Sequence, residues 1–312
     1  MPSSRRLVLA IAASLACGSA WAAPTPPAPS AGPAPLYVDC RGARSASPTV
    51  ILESGAFGTS ADWDLVLDDL ARGGRVCAYD RGGVGRSAPR AGAKDAIAIA
   101  DELAGLLDAL GETSSVILVG HSNGGLYIET FAARWPCRVA GLVYVNAVTS
   151  DDLDDPALLR YLADERHLAE LAVVAADLGL APIVAPMAVT AEGLQGEAAG
   201  RKREALTRLS SLRVARDEDR AIVPGLSTAR ELGGSPAAVP TVVIVGTTRP
   251  DLFSSRAWRA AEVAPATRAR QAWILDAVGA THVSPLARDR AYIVAGVNWL
   301  RSLRGVEGRP AD

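Results

Sequence analysis

The residues that could do covalent chemistry sit in one short stretch. Ser115 to Gly125 reads Ser-Val-Ile-Leu-Val-Gly-His-Ser-Asn-Gly-Gly, which places Ser122 between Gly120 and Gly124 in a Gly-x-Ser-x-Gly pattern. A serine hydroxyl attacks poorly until a base takes its proton. Acyl chemistry at Ser122 would therefore need a histidine, an acid to orient it and N–H donors for the oxyanion that forms. The chain has 3 histidines, His121, His167 and His282. His121 flanks the serine, so its side chain should point away from the Ser122 hydroxyl. His167 lies in a long helical stretch. By elimination, His282, after the last apolar strand run and before the last helix, is the candidate base.

The elements that must position Ser122 are written on both sides of it. Val116 to Val119 is a short apolar β-branched run, as a buried strand requires. Leu126, Ile128, Phe131, Ala132 and Trp135 recur at helical spacing before Pro136. The strand must turn sharply into that helix. A side chain at Gly120 or Gly124 would collide with its neighbours in so tight a turn. The strain would expose the Ser122 hydroxyl above the sheet, over the unpaired N–H groups of the helix N-terminus.

The rest of the chain repeats the strand-then-helix rhythm. Strands are expected at 36–40, 49–52, 76–79, 140–145, 241–245 and 271–275, and helices at 62–72, 93–110, 255–263 and 288–303. Alternation of this kind implies a mostly parallel central sheet with helices on both faces. Residues 151–236 break the rhythm. They carry no strand run, and Leu158, Leu159, Leu162, Leu168, Leu171, Leu178, Leu206, Leu209 and Leu212 supply apolar faces at helical spacing. Inserted between two core strands, the segment reads as a helical cap over the strand ends, where open α/β sheets bind ligands. Asp80 and Ser87 flank a glycine-rich turn. Asp80 should tie that turn down through backbone N–H groups, and Ser87 lacks the surroundings of a nucleophile.

Composition bounds the function. A net charge of −2 over 312 residues argues for no nucleic-acid partner. Lys94 and Lys202 are the only lysines, so arginine carries the positive charge. Residues 1–22 read as an export signal: Arg5-Arg6, an apolar run from Leu7 to Ala16, and Ala20-Trp21-Ala22 as a cleavage site. The alternative is a lipoprotein signal ending at Cys17. Secretion or a periplasmic location is expected, with no integral membrane segment after cleavage. Residues 23–35 form a proline-rich tether, and 306–312 a short tail. Cysteine and histidine spacing suggests no zinc site, and the chemistry needs no metal or organic cofactor.

Taken together, the loop Ser54-Gly55-Ala56, the turn Tyr79 to Ser87, the Ser122 turn and the late Thr281-His282 resemble the α/β-hydrolase superfamily over roughly Leu36 to Leu303. The chain is similar in particular to secreted, capped members. The core would then comprise 36–150 and 237–305, with the cap at 151–236. The resemblance implies that the N–H groups of Ala56 and Asn123 form the oxyanion hole and that His282 is the base. Relatives often carry His-Gly where this chain has Ser54-Gly55, but the donor there is a backbone N–H. The family's acid commonly stands where this chain has Arg249; Asp251, two residues on, lies in the same loop and is the candidate. Asp151 and Asp152 after the 140–145 strand, and Asp276, are its rivals. The strands carrying Cys40 and Cys77 are neighbours in this fold, so a disulfide is expected there, with Cys137 left as an odd, buried thiol.

The resemblance implies a serine esterase acting on a small acyl substrate. A serine nucleophile argues against dehalogenase and epoxide hydrolase chemistry, which uses aspartate. Aminopeptidase, lactonase, C–C hydrolase, haloperoxidase or acyltransferase activity stays open, as does a non-catalytic binding protein on the same fold. Oligomeric state is not legible.

Overall fold

The computed structural model describes residues 35–184, 193–248 and 256–307. The export signal, nearly all of the proline-rich stretch and Asp251 lie outside the described residues. One sheet holds β1 (Val38–Arg41), β2 (Val50–Glu53), β3 (Val76–Tyr79), β4 (Val116–His121), β5 (Val139–Val145), β6 (Thr241–Gly246) and β7 (Ala272–Ala277). The spatial order is β1-β3-β2-β4-β5-β6-β7. β1 pairs antiparallel with β3, and the other neighbours pair in parallel. Strands β2 to β6 are buried at every position, as a parallel sheet covered on both faces demands.

Alternate side chains feed opposite faces. Val50 and Leu52 pack with Val66, Leu67 and Leu70 of α1 (Asp64–Ala71) and with Ile293 and Val297 of α9 (Ala291–Glu307). Ile51 and Leu118 pack with Leu103 and Leu107 of α2 (Ala96–Ala109), Phe131 of α3 (Gly124–Arg134) and Ala266 of α8 (Arg256–Arg268). The helix expected from 93 starts at Ala96, because the Asp95 side chain caps it by accepting the Ala98 N–H at 2.8 Å. The helix expected from 62 starts as a 3-10 turn, Ser60–Trp63, before α1.

Between β5 and β6 the described chain is helical. It holds a 3-10 turn (Ser150–Asp154), α4 (Pro156–Asp177), α5 (Ala181–Val184), α6 (Gly196–Thr207) and α7 (Leu209–Glu231). Leu158 and Leu162 of α4 and Ile222 and Leu226 of α7 pack on Ile99 and Leu126. Leu168, Leu171 and Leu178, expected on a buried face, are exposed. Leu168 and Leu171 lie on the second half of α4 and Leu178 caps its C-terminus. Glu129 on α3 ties down both ends of the insertion. Fully buried, it accepts the backbone N–H and hydroxyl of Ser150 (2.7 and 3.0 Å) and of Ser235 (3.1 and 3.2 Å).

The β1–β3 register sets Cys40 opposite Cys77, and the two are joined by a disulfide. Cys137 departs from expectation. It is exposed on the 3-10 turn Pro136–Arg138, and it is itself disulfide-bonded, not a buried thiol. Pro136 ends α3 at the surface, so the following residue turns outward instead of into the core. Among the described residues no helix is long and apolar enough to cross a membrane.

Candidate active site

Among the described residues, three non-glycine residues adopt positive φ, and all three lie at the carboxyl edge of the sheet: Phe57 (55°), Ser122 (53°) and Asn146 (43°). Such conformations cost of order 1–3 kcal/mol each and persist only when their surroundings over-determine them. At Ser122 the surroundings are explicit. Its N–H donates to the Val145 carbonyl at 3.2 Å, and its carbonyl accepts the N–H groups of Gly125 and Val148, both at 2.9 Å. A Cβ on Gly120 would stand 2.6 Å from the Gly124 oxygen, and one on Gly124 would stand 2.5 Å from the Glu53 oxygen. Both glycines are therefore steric requirements of the turn. Ser122 keeps partial exposure, while Asn123 beside it is buried.

The loop after β2 runs against the serine. A Cβ on Gly55 would lie 2.8 Å from the Ser122 Cβ, so only glycine lets the two backbones approach this closely. Ala56 follows in a turn closed by the Gly58 N–H donating to the Gly55 carbonyl at 3.1 Å. Among the described residues, the backbone N–H groups of Ala56 and Asn123 donate to no other group. Two unengaged donors beside a strained serine can stabilise an oxyanion. Ser54, Gly55, Ala56, His121, Lys202 and Leu286 line a small hollow here.

His282 lies on the loop after β7, exposed, with its ring 4.8 Å from that of His121. Its backbone is fixed from two strand ends. The His282 carbonyl accepts from His121 Nε2 at 2.9 Å and from Asn146 Nδ2 at 2.9 Å. Asn146 Oδ1 in turn accepts the Gly246 N–H at 2.7 Å. His121 is buried, and burial drives its pKa down to about 4, so the ring is neutral and donates from Nε2. Whatever its orientation relative to the serine, His121 anchors the backbone of His282. Neither His121 nor Asn146 was assigned this part from sequence. A polar residue ending a fully apolar strand was the available signal for Asn146.

The rival acids are engaged elsewhere. Asp151 forms a two-pronged ion pair with Arg268, whose Nη2 lies 2.7 Å away. Asp152 is buried, with its pKa pushed well up by that burial, and it accepts the Thr149 N–H at 2.6 Å. Asp276 pairs with Arg259 at 2.5 Å and is exposed. Asp251 lies outside the described residues. Asp80 does what its turn asks, accepting the N–H groups of Ser60 (2.7 Å) and Arg86 (2.9 Å). Ser87 donates to the Asp80 carbonyl and accepts the Tyr37 N–H, which leaves it structural.

A buried polar network links this edge of the sheet to the inserted helices. Arg81 forks onto Glu218 of α7 at 2.8 and 2.7 Å and reaches Glu53 at 2.7 Å. Burial opposes its charge, but Glu218 and Glu53 more than offset that and raise its pKa. Burial pushes Glu53 up to about 7 against the pull of Arg81 and Tyr79. Lys202 of α6 pairs with Asp62 at 2.6 Å, both buried. Asp219 accepts from Asn123 Nδ2 at 3.2 Å, and burial, with Glu165 nearby, raises it to about 8. The sequence reading passed over all of these. Lys202 left a trace, being one of 2 lysines against 30 arginines.

Comparison with known proteins fits the architecture. A family model described as the α/β-hydrolase fold matches residues 48–184. A protein of Variovorax paradoxus named as a carbamate hydrolase is 42% identical over 115 residues, covering 36% of this chain and 42% of that one. A bifunctional esterase/perhydrolase of Acinetobacter calcoaceticus is 38% identical over 104 residues, 33% of this chain and 37% of that one. The chain thus spans less than half the length of these curated relatives. Among solved structures, a thermophilic esterase from Thermogutta terrifontis superposes with a TM-score of 0.64 at 24% identity, over 86% of this chain and 93% of that one.

Proposed function

The chain belongs to the α/β-hydrolase superfamily, and from that premise we propose that it is an exported serine hydrolase cleaving a carboxylic ester or related acyl bond. The observation that carries this reading is the strained Ser122, set against the Gly55-Ala56 loop and the start of α3, with two unengaged N–H groups beside it. Ser122 attacks the acyl carbonyl as His282 takes its proton. The N–H groups of Ala56 and Asn123 hold the oxyanion. His282 then protonates the leaving alcohol, and water activated by the same ring releases the acid. Asp251 orients the imidazole and stabilises its charged form; the engagement of Asp151, Asp152 and Asp276 elsewhere supports this choice. The names of the curated relatives support hydrolysis, and the Cys40–Cys77 disulfide supports an oxidising compartment.

The test is a substrate panel of acyl esters of graded chain length, lactones and carbamates, run on the wild type and Ser122→Ala. The wild type should turn over at least one class. Ser122→Ala should lose on the order of 10⁵ to 10⁶ in kcat. Undiminished turnover by folded Ser122→Ala would overturn the assignment.

A further inference from the structure

The inserted helices reach the carbonyls of the loop that runs against the serine. Arg81 is 3% exposed and spends all its N–H groups. Two go to Glu218 of α7 and one to Glu53. The remaining two go to the Ser54 carbonyl at 2.6 Å and the Gly55 carbonyl at 3.0 Å. Lys202 of α6, 2% exposed, donates to the Phe57 carbonyl at 2.7 Å and to Asp62 at 2.6 Å. Asp62 accepts the Thr59 N–H at 2.8 Å. The loop from Ser54 to Thr59 is therefore held through its carbonyls by two buried cations, both tied to the insertion.

Peptide geometry turns this into an aim. In a trans peptide the C=O and N–H point in opposite directions, and no described peptide is cis. Lys202 fixes the Phe57 carbonyl, and the N–H of that same peptide, on Gly58, donates to the Gly55 carbonyl. Arg81 grips the Gly55 carbonyl as well. The N–H of the Gly55–Ala56 peptide is then directed away from Arg81. Phe57 is held at φ 55°, which the loop would not adopt unaided.

From this geometry we infer that Arg81 and Lys202 are positioning residues for the oxyanion hole, and that Glu218 on α7 and Lys202 itself on α6 make this grip depend on those helices being seated. The inference rests on the serine-hydrolase reading. It makes the insertion part of the apparatus that stabilises the transition state, beyond any part it has in the pocket wall. Lysine at position 81 could not replace the arginine, because it lacks the planar fork that serves carbonyls and carboxylates together.

The experiment compares Arg81→Lys, Lys202→Met and Glu218→Gln with the wild type. Arg213→Ala serves as a control, since Arg213 lies on the same helix α7 and its ion pair with Asp177 of α4 is exposed. For each, kcat and KM are measured on a good ester, along with the inhibition constant of a trifluoromethyl ketone. Ser122 adds to that ketone to give a tetrahedral oxyanion without turnover. Losing an oxyanion donor outright costs about 10²–10³ in kcat. Misaiming one should cost about 10- to 100-fold in kcat and a similar factor in ketone affinity, with KM within about threefold and Arg213→Ala unchanged. Should Arg81→Lys and Lys202→Met not fold, Glu218→Gln, which keeps the side-chain shape, decides. Folded variants with wild-type kcat and ketone affinity overturn the inference, as does a loss confined to KM or thermal stability. If the wild type itself neither hydrolyses an ester nor labels at Ser122 with a fluorophosphonate, the serine-hydrolase reading has failed, and this inference falls with it.

Discussion

β4 and β5 are buried at every residue and pair backbone to backbone along their length. α4, by contrast, buries four of its side chains, Leu158, Leu162, Ala169 and Val173, and leaves Leu168 and Leu171, and Leu178 at its C-cap, in water. The sheet is held by apolar area and shared hydrogen bonds. The insertion rests on a narrower apolar seam and on buried polar ties: Glu129 to Ser150 and Ser235, Arg81 to Glu218, and Lys202 to Asp62. Apolar area is forgiving of detail, whereas a buried ion pair is not. Breaking one strands the other charge, while the pair itself contributes little net stability. The insertion therefore owes its placement to a few residues, and two of them, Arg81 and Lys202, also touch the loop beside Ser122.

The acid should give the largest contrast between neighbouring positions. Asp251→Asn should cut kcat by about 10⁴, because the histidine would hold the wrong tautomer. Asp151→Asn, Asp152→Asn and Asp276→Asn should stay within about tenfold. A collapse at Asp151 or Asp152 with Asp251→Asn near wild type would move the acid to the end of β5. Next comes the sheet edge. The disulfide closes a span of 37 residues, and replacing both cysteines with serine should cost about 4 kcal/mol in chemical denaturation. No measurable loss would mean that β1 contributes nothing to the cooperative unit.

Glu129→Ala separates the two regions. It strands the N–H groups of Ser150 and Ser235, at roughly 1–3 kcal/mol each. Limited proteolysis should then cut within 150–235 before the core, and simultaneous loss of both would contradict the distinction. The last contrast is a matter of pH. Unfolded histidine takes up a proton near ~6.5, but folded His121 does so only near about 4. Between those values the unfolded state binds more protons, so stability falls as pH drops, by about 3 kcal/mol in all. Asp219 acts in the opposite sense. Its folded pKa of about 8 lies above the unfolded ~3.9, so its contribution is full below pH ~4 and is lost as pH rises toward 8. In melting curves from pH 4 to 9, His121→Asn should remove a gain in stability with rising pH between about 4 and 6.5, and Asp219→Asn should remove a loss with rising pH between about 4 and 8. Unchanged slopes would contradict both.

Legibility followed the same divide. The strands of the sheet and the Ser122 turn were readable because period, apolar runs and glycine sterics are local properties. The Cys40–Cys77 pairing came from the resemblance alone. The ties were not readable, because Arg81 to Glu218 spans 137 residues and Lys202 to Asp62 spans 140. Nothing in either neighbourhood names its partner. Cys137 was misjudged for the converse reason. Its burial was expected because an unpaired thiol usually packs inside, whereas Pro136 turns the chain outward there. The exposed leucines of α4 show the limit of periodicity, which finds an apolar face without saying what covers it.

The central claim is that Ser122 is the nucleophile, and covalent labelling tests it most directly. The purified protein is treated with a fluorophosphonate, digested, and mapped by mass spectrometry, with Ser122→Ala in parallel. One adduct on the peptide carrying Ser122, absent from the variant, is the predicted result. An unlabelled wild type that still hydrolyses esters, or an adduct that persists in Ser122→Ala, would contradict the account.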